Sequence, residues 1–285
     1  MVDIYRPESL DDVLNIKRAT KAIAFTGGTD LMVKLRRGAG TIPNFSKPVL
    51  FLDRCNELNH ISRHFDHVEI GATITLRELI QSPYIHATLK EIISQMGGPA
   101  LRNVATMAGN ICNASPAGDT LPFLYDFGTS VTVISADSER TVLIEDFICG
   151  PGKTTMREDE ILYSISIPLW EPDRYFFKKI GTRKANALTK VSFAAFADLS
   201  HGRISRARLA LAAVAPTVVR LRDVERLLIN SGSKELKNNL QSAVDICERQ
   251  IDPIDDQRST AAYRRRVSGN LVKYFIEKEL LMALQ

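Results

Sequence analysis

Cysteine, long apolar runs and a strong charge of one sign are all scarce in this chain. Of its 285 residues only 4 are cysteine, at Cys55, Cys112, Cys149 and Cys247, far apart from one another. No Cys-x-x-Cys pair occurs, which excludes a zinc ribbon or an iron–sulfur ligand set carried by this chain alone. Cysteines so scattered are expected to be reduced and buried. The longest apolar run, Leu209–Ala215, falls well short of the roughly 18 residues that cross a bilayer. The opening Met-Val-Asp-Ile-Tyr-Arg-Pro-Glu lacks the charged-then-apolar order of a secretory signal, so a cytoplasmic location is expected. The net charge of +4 is mild. The basic runs at Arg36-Arg37, Lys178-Lys179, Arg203/Arg206/Arg208 and Arg264–Arg266 are broken by acids and lack interleaved aromatics. Neither nucleic acid nor a membrane is an expected partner.

Motifs of catalysis are missing too. There is no Gly-x-Gly-x-x-Gly and no Gly-x-Ser-x-Gly, and no cysteine adjoins a histidine. Gly150-Pro-Gly152-Lys153-Thr154 ends like a phosphate loop, but the required upstream glycine is Phe147, so the segment reads as a turn between strands. His60, His64 and His67 have a spacing that could share one face of a helix, yet no Glu follows His60 and the intervening residues are polar. They read as solvated loop histidines. No catalytic residue and no metal ligand is expected.

What the chain does have is a pair of small-residue segments. One is Thr26-Gly27-Gly28-Thr29-Asp30; the other runs from Gly97 to Asp119 and contains Thr106, Gly109, Asn110, Asn113 and Ser115, with Arg102 its one bulky cation. Glycine admits positive φ and lets a ligand approach bare main-chain N–H groups. Threonine, serine and asparagine add neutral groups that suit phosphate and sugar oxygens. Together they describe a surface for a large polar anion that needs no lysine.

Periodicity organises the rest. It predicts a helix over Glu8–Thr20, a strand Ala22–Phe25 running into the first glycine bend, a helix from Leu31 to about Arg37, and a strand over Lys47–Asp53. Further on it predicts a strand from Val68, helices over Thr75–Gln81 and Ile85–Met96, a hairpin of Val131–Ile134 with Thr141–Ile144, and a strand over Glu160–Pro168. Trp170-Glu-Pro-Asp-Arg174 reads as a linker. Beyond it come a three-stranded antiparallel sheet (174–179, 191–199, 204–214) and helices near 220–230, 234–250 and 260–284.

Several motifs in order, Phe25-Thr-Gly-Gly-Thr-Asp-Leu31, Arg102-Asn-Val-Ala-Thr-Met-Ala-Gly-Asn-Ile111, Ala114-Ser-Pro-Ala-Gly-Asp119, Gly150–Thr154, Glu160-Ile-Leu162, Phe177-Lys178 and Thr182-Arg-Lys-Ala185, carry a resemblance that spans nearly the whole chain. They resemble the FAD-binding subunit of the molybdenum hydroxylase family, the group of xanthine, carbon monoxide and nicotinate dehydrogenases, and most of all the separate FAD-binding subunit of bacterial xanthine dehydrogenases. The resemblance implies an α+β chain. Its first part is a two-lobed FAD-binding domain of vanillyl-alcohol-oxidase (PCMH) type over 1–170, with lobes of about 1–55 and 56–170; a smaller C-terminal domain of antiparallel sheet plus helices follows over 175–285.

It implies FAD as cofactor, with the diphosphate between Thr26–Leu31 and Thr106–Asn110. The cofactor-binding set is then Ala24, Phe25, Thr26, Gly27, Gly28, Thr29, Asp30, Leu31, Met96, Thr106, Ala108, Gly109, Asn110, Asp119, Leu162 and Lys178. Asp119 would accept hydrogen bonds from polar groups of FAD, Leu162 would sit by the isoalloxazine, and Lys178 would lie at its polar edge, where a cation favours an anionic reduced ring. Two positions depart from the family pattern: Ala108 stands where a glycine is usual, and Met96 where some relatives have an aromatic residue. The implied partners are a large subunit with the molybdenum cofactor, a small [2Fe–2S] subunit, and NAD or another electron acceptor. Two other readings stand beside it, a stand-alone flavin oxidoreductase and an FAD-free structural subunit of such a complex.

Overall fold

The computed structural model describes residues 2–183 and 186–284, so the Lys184-Ala185 end of the last motif lies outside the described residues. The chain is α+β and forms two compact units that interleave along the sequence. The first comprises 1–85, 96–114 and 128–169; the second comprises 86–95, 115–127 and 170–285. Among the described residues no helix is long and apolar enough to cross a membrane.

Two main sheets organise the first unit. In the smaller, Val49–Phe51 lies between Ile4–Tyr5 and Ile23–Phe25, and both pairings are parallel. The helix Leu10–Thr20 carries the chain from one outer strand to the other, and residues 26–48 cross back to the central strand, the long connections that parallel pairing requires. That helix starts where the Ser9 side chain accepts from the Asp12 N–H and stops at Lys21 in the left-handed region (φ 52°). It fixes the exit direction of the strand that feeds the first glycine bend.

The larger sheet is antiparallel, in the order Ile61–Arg63, His67–Gly71, Ile161–Pro168, Ser130–Ile134, Glu139–Leu143. Alternation along the central strand places Ile165 opposite both Ile70 and Val131, and all three are fully buried. Gly150–Lys153 closes a two-stranded turn, as its sequence predicts.

The second unit is built on a four-stranded antiparallel sheet of Arg174–Ile180, Val191–Ser200, Arg203–Ala212 and Val219–Arg220. The fourth strand was hidden in the sequence, because two residues that lead straight into a helix carry no period of their own. Both faces of the central strand are covered: Phe193, Ala195 and Ala197 join the helical layer, while Phe196 packs edge-on against Phe123 and Phe127. This explains the unbroken apolar run from Phe193 to Ala197. Trp170, expected in a linker, is anchored here, its indole N–H donating to the Asp198 carboxylate with the Arg206 guanidinium 3.8 Å above the ring. The helices are Arg222–Leu228, Ser233–Gln250 and Ala261–Tyr274, the last running on through a π-helical turn at Phe275–Leu280 into Leu281–Ala283. All four cysteines are free; Cys55 and Cys247 are buried as expected, but Cys112 is half-buried and Cys149 exposed.

Candidate functional site

The strand Ile23–Phe25 delivers the chain into Thr26-Gly27-Gly28-Thr29. Gly28 takes φ +63°, and a Cβ there would fall 2.0 Å from the Phe25 ring, so both backbone and space demand glycine. Gly27 is required for a different reason: a Cβ on it would lie 2.1 Å from the Val104 carbonyl oxygen. That contact is with main chain of the second small-residue segment. The two bends therefore touch, backbone to backbone.

Thr106 organises the second bend. It caps the helix Met107–Asn113 by accepting from the Gly109 N–H at 3.0 Å. The same Oγ1 lies 2.9 Å from Thr26 Oγ1 in a hydrogen bond across the bends. Leu76 N–H donates to the Ala105 carbonyl at 2.8 Å, and Thr75 pairs with Thr106, which ties the bend to the helix Leu76–Gln81. Asn113 links the far ends, donating to the Asp30 carboxylate and accepting from Lys34. The Arg102 guanidinium turns back onto the carbonyls of Met96 (3.0 Å) and Gly97 (2.7 Å).

Main-chain donors are left over. Among the described residues no acceptor takes a hydrogen bond from the N–H of Gly27, Gly28 or Thr29, or from Met107 or Ala108 at the start of the capped helix. The first N–H groups of a helix have no partner within it and are open to a ligand, as are those of a glycine bend. Five N–H donors on two touching bends, with neutral hydroxyls beside them, match a diphosphate in charge and hydrogen-bonding character.

Beside the bends is a cavity of about 310 Å³. Ile23, Ala24, Leu52, Ala72, Ala108 and Leu162 give it apolar surface, and Thr26, Gly109, Lys17, Lys21 and Lys47 also line it. Lys17 is buried and donates to the Ala22 carbonyl at 2.7 Å; burial lowers its pKa, and the neighbouring Lys47 charge acts the same way. The Cys112 thiol, also in the wall, is pushed up to about 12 by burial.

Of the residues predicted from sequence, Ala24, Thr26, Ala108, Gly109 and Leu162 line this one cavity. Phe25 packs on Phe51 (ring centroids 4.7 Å apart), and Asp30 and Leu31 begin the short helix Leu31–Leu35. Asn110 N–H is spent on the Thr106 carbonyl, and half-buried Met96 presents its carbonyl to Arg102. Asp119 and Lys178 belong to the second unit. Asp119 is buried, accepting from Lys179 Nζ and Thr189 Oγ1 at 2.5 Å each, whereas Lys178 is exposed. Lys179 and Thr189 were missed, although strand alternation places Lys179 on the same side as buried Phe177 and Lys178 on the other. The Asn113 link and the cavity lysines were also missed, being brought in by tertiary packing alone.

Comparison with known proteins adds independent findings. Residues 1–170 match the family described as FAD binding domain in molybdopterin dehydrogenase, and residues 175–278 match the CO dehydrogenase flavoprotein C-terminal domain. The chain is 27% identical over 290 residues to the xanthine dehydrogenase FAD-binding subunit of Escherichia coli O157:H7, covering 98% of this chain and 96% of that protein. It is 29% identical over 263 residues to the glyceraldehyde dehydrogenase medium chain of Sulfolobus acidocaldarius, covering 87% and 90%. Among solved structures, a chain of carbon monoxide dehydrogenase from Hydrogenophaga pseudoflava superposes with a TM-score of 0.88 over 99% of this chain and 98% of that one; at 23% identity this likeness speaks for the fold.

Proposed function

Because the chain belongs to the family of FAD-binding domains in molybdopterin dehydrogenases, we propose that it is the electron-transferring flavoprotein subunit of a multi-subunit molybdenum hydroxylase of xanthine dehydrogenase type. In this reading substrate is oxidised in a large subunit that carries the molybdenum cofactor. Electrons arrive through the [2Fe–2S] clusters of a small subunit and leave to NAD or another acceptor, in the cytoplasm. The chain's share is a flavin domain over 1–170 (lobes of about 1–55 and 56–170) and a C-terminal domain over 175–285.

When bound, FAD supplies reversible two-electron chemistry that no side chain can perform. The protein's own work is binding and electrostatics. The open amides of Gly27, Gly28, Thr29, Met107 and Ala108 receive the diphosphate, and the hydrogen bond between Thr26 and Thr106 keeps both bends at one spacing. Ala24, Ala108 and Leu162 offer apolar surface to a ring, and Phe25, Asp30, Leu31, Met96, Gly109 and Asn110 complete the set. Asp119 is kept as an acceptor and Lys178 as a cation for the cofactor on the resemblance of their motifs. Lys179 and Thr189 hold the Asp119 carboxylate in place.

The observation that carries this reading is the contact of two glycine bends with unspent N–H donors on both. Its test is affinity capture of the native complex, followed by molybdenum, iron and flavin analysis. Co-purifying subunits rich in both metals, with one FAD per chain, are expected. A yellow chain without metal-bearing partners would favour the stand-alone oxidoreductase, and a colourless chain within such a complex the structural subunit.

A further inference from the structure

One side-chain cluster has no part in the cofactor site. The edge strand Ile61–Arg63 of the five-stranded sheet pairs antiparallel with His67–Gly71, and the His64 N–H donates to the His67 carbonyl at 2.9 Å to close the hairpin. The three histidines are thus on a hairpin, and not on the helix face that their spacing could equally serve. The hairpin adds a fourth group that spacing does not reveal. One nitrogen of His64, one of His67 and a Glu69 carboxylate oxygen lie within 4.8 Å of one another.

The surroundings orient His67 and Glu69. The imidazoles of His64 and His67 are stacked, with centroids 4.4 Å apart and planes at 11°. His67 Nδ1 lies 2.7 Å from Asp66 Oδ1; a carboxylate accepts, so Nδ1 donates and Nε2 keeps its lone pair. His60 Nε2 lies 2.9 Å from Glu69 Oε1, and Glu69 Oε2 faces His64 Nε2 at 3.7 Å. A carboxylate behind a ligating imidazole is the arrangement that fixes its tautomer and raises its basicity.

Two imidazoles and a carboxylate are the donor set of borderline divalent transition metals, and a poor one for calcium or magnesium, which take oxygen ligands. Around zinc, with bonds of about 2.0–2.1 Å, tetrahedral ligand atoms sit about 3.4 Å apart, so the cluster must contract by about 1.4 Å at its widest. The His64 side chain is 45% exposed, so it is the group that would turn out of its stack on His67 to close that distance.

We propose that His64, His67 and Glu69 bind one borderline divalent ion of the zinc, nickel or copper class, with water completing the shell. His60 and Asp66 act as positioning residues for Glu69 and His67. The ion clips the turn at His64 to the strand His67–Gly71.

The test uses the untagged full-length chain carrying Cys149→Ser, which removes the exposed thiol as a competing ligand. After chelator dialysis it is titrated with ZnCl2 by calorimetry and with CoCl2 by visible absorption. One ion per chain is expected, together with a cobalt ligand-field band. His67→Ala and Glu69→Gln should each weaken binding at least tenfold, and Asp66→Asn by about tenfold. His201→Ala, an exposed histidine of the other unit, should change nothing. Should His67→Ala melt early in the absence of metal, the near-isosteric Glu69→Gln carries the comparison. Binding that stays within twofold of the parent in both His67→Ala and Glu69→Gln, or no ligand-field band in the parent, overturns the proposal.

Discussion

Thr26 and Thr106 are 80 positions apart in sequence, yet their hydroxyl oxygens share a hydrogen bond at 2.9 Å. The bond joins the end of a parallel strand to the cap of a helix, and on either side of it lie the main-chain donors assigned to FAD. Thr106→Val removes both bridge and cap and should cost about 1 kcal/mol of stability together with much of the flavin. Thr26→Val removes the bridge alone. A double-mutant cycle in urea should show coupling of about 0.5–1.5 kcal/mol between the two, and additive losses would place the bridge outside the energetics of the bends.

Gly27 sets how closely the bends approach. Its missing Cβ is replaced by the Val104 carbonyl, and backbone cannot step aside cheaply, so Gly27→Ala should separate the bends and release flavin. Gly98→Ala is the matched control, since a Cβ there meets nothing within 4 Å. Flavin absorbance per chain should fall sharply in the first variant and hold in the second.

Much of this architecture could be read in advance, for physical reasons that differ by element. The helix predicted over Thr75–Gln81 forms as Leu76–Gln81, its start fixed by a reciprocal capping box of Thr75 and Glu78. The alternation over Ile161–Pro168 gave a strand, and Ile165 and Ile167 are buried as it predicts, although the register shifts between Leu162 and Ser164 and leaves Tyr163 half-buried. The short helices Pro99–Arg102, Met107–Asn113 and Leu121–Asp126 were not legible, since four to seven residues are too few to show a helical period. Nor could local pattern reveal that 86–95 and 115–127 pack within the second unit, because periodicity tells which face is buried and not against what. At the site, the glycine bends were visible for their composition, while Lys17, Asn113 and Lys179 enter through contacts distant in sequence.

Glu160 makes the first unit acid-labile. Its side chain is 1% exposed, held by a two-pronged Arg140 guanidinium (2.8 Å each) and by the N–H and guanidinium of Arg157, next to cavity residue Glu158. The Arg140 hydrogen bonds above all bring its pKa down from 4.5 to about 2. A depressed carboxylate stabilises the fold above its unfolded pKa, so this contribution, roughly 3 kcal/mol, is present above pH 4.5 and drains away as pH falls towards 2. Urea midpoints measured across that window should drop for the wild type. Glu160→Gln should start lower and show a flatter profile.

Asp126 has the opposite sign. It is buried in the second unit, neither oxygen has a hydrogen-bond partner among the described residues, and the Arg220 Nε is 3.7 Å away. Burial raises its pKa well above the usual range, with Arg220 opposing. A carboxyl so raised favours the fold while protonated, and that advantage is lost as pH rises through its folded value. Asp126→Asn should therefore raise the melting temperature at neutral and alkaline pH, and change it least in acid.

Thiol reactivity reports on the cavity. Burial pushes Cys55 up to about 11 and Cys112 and Cys247 up to about 12, so none presents thiolate near neutral pH. Cys149 is exposed. Iodoacetamide at pH 8 should modify Cys149 alone in the native chain, as read by peptide mass spectrometry. Rapid labelling of Cys112 would mean that the cavity opens.

The central claim, that amides of two touching bends hold FAD, is tested most directly by the flavin-to-protein ratio of Gly109→Val. Its first added carbon would lie 3.0 Å from Thr106 Oγ1 and 3.4 Å from Thr26 Oγ1, at the junction itself. With circular dichroism and melting near those of the wild type, the variant should be colourless beside a yellow wild-type chain that releases one FAD on denaturation. A folded variant with full flavin, or a wild-type chain that takes up none, would contradict the account.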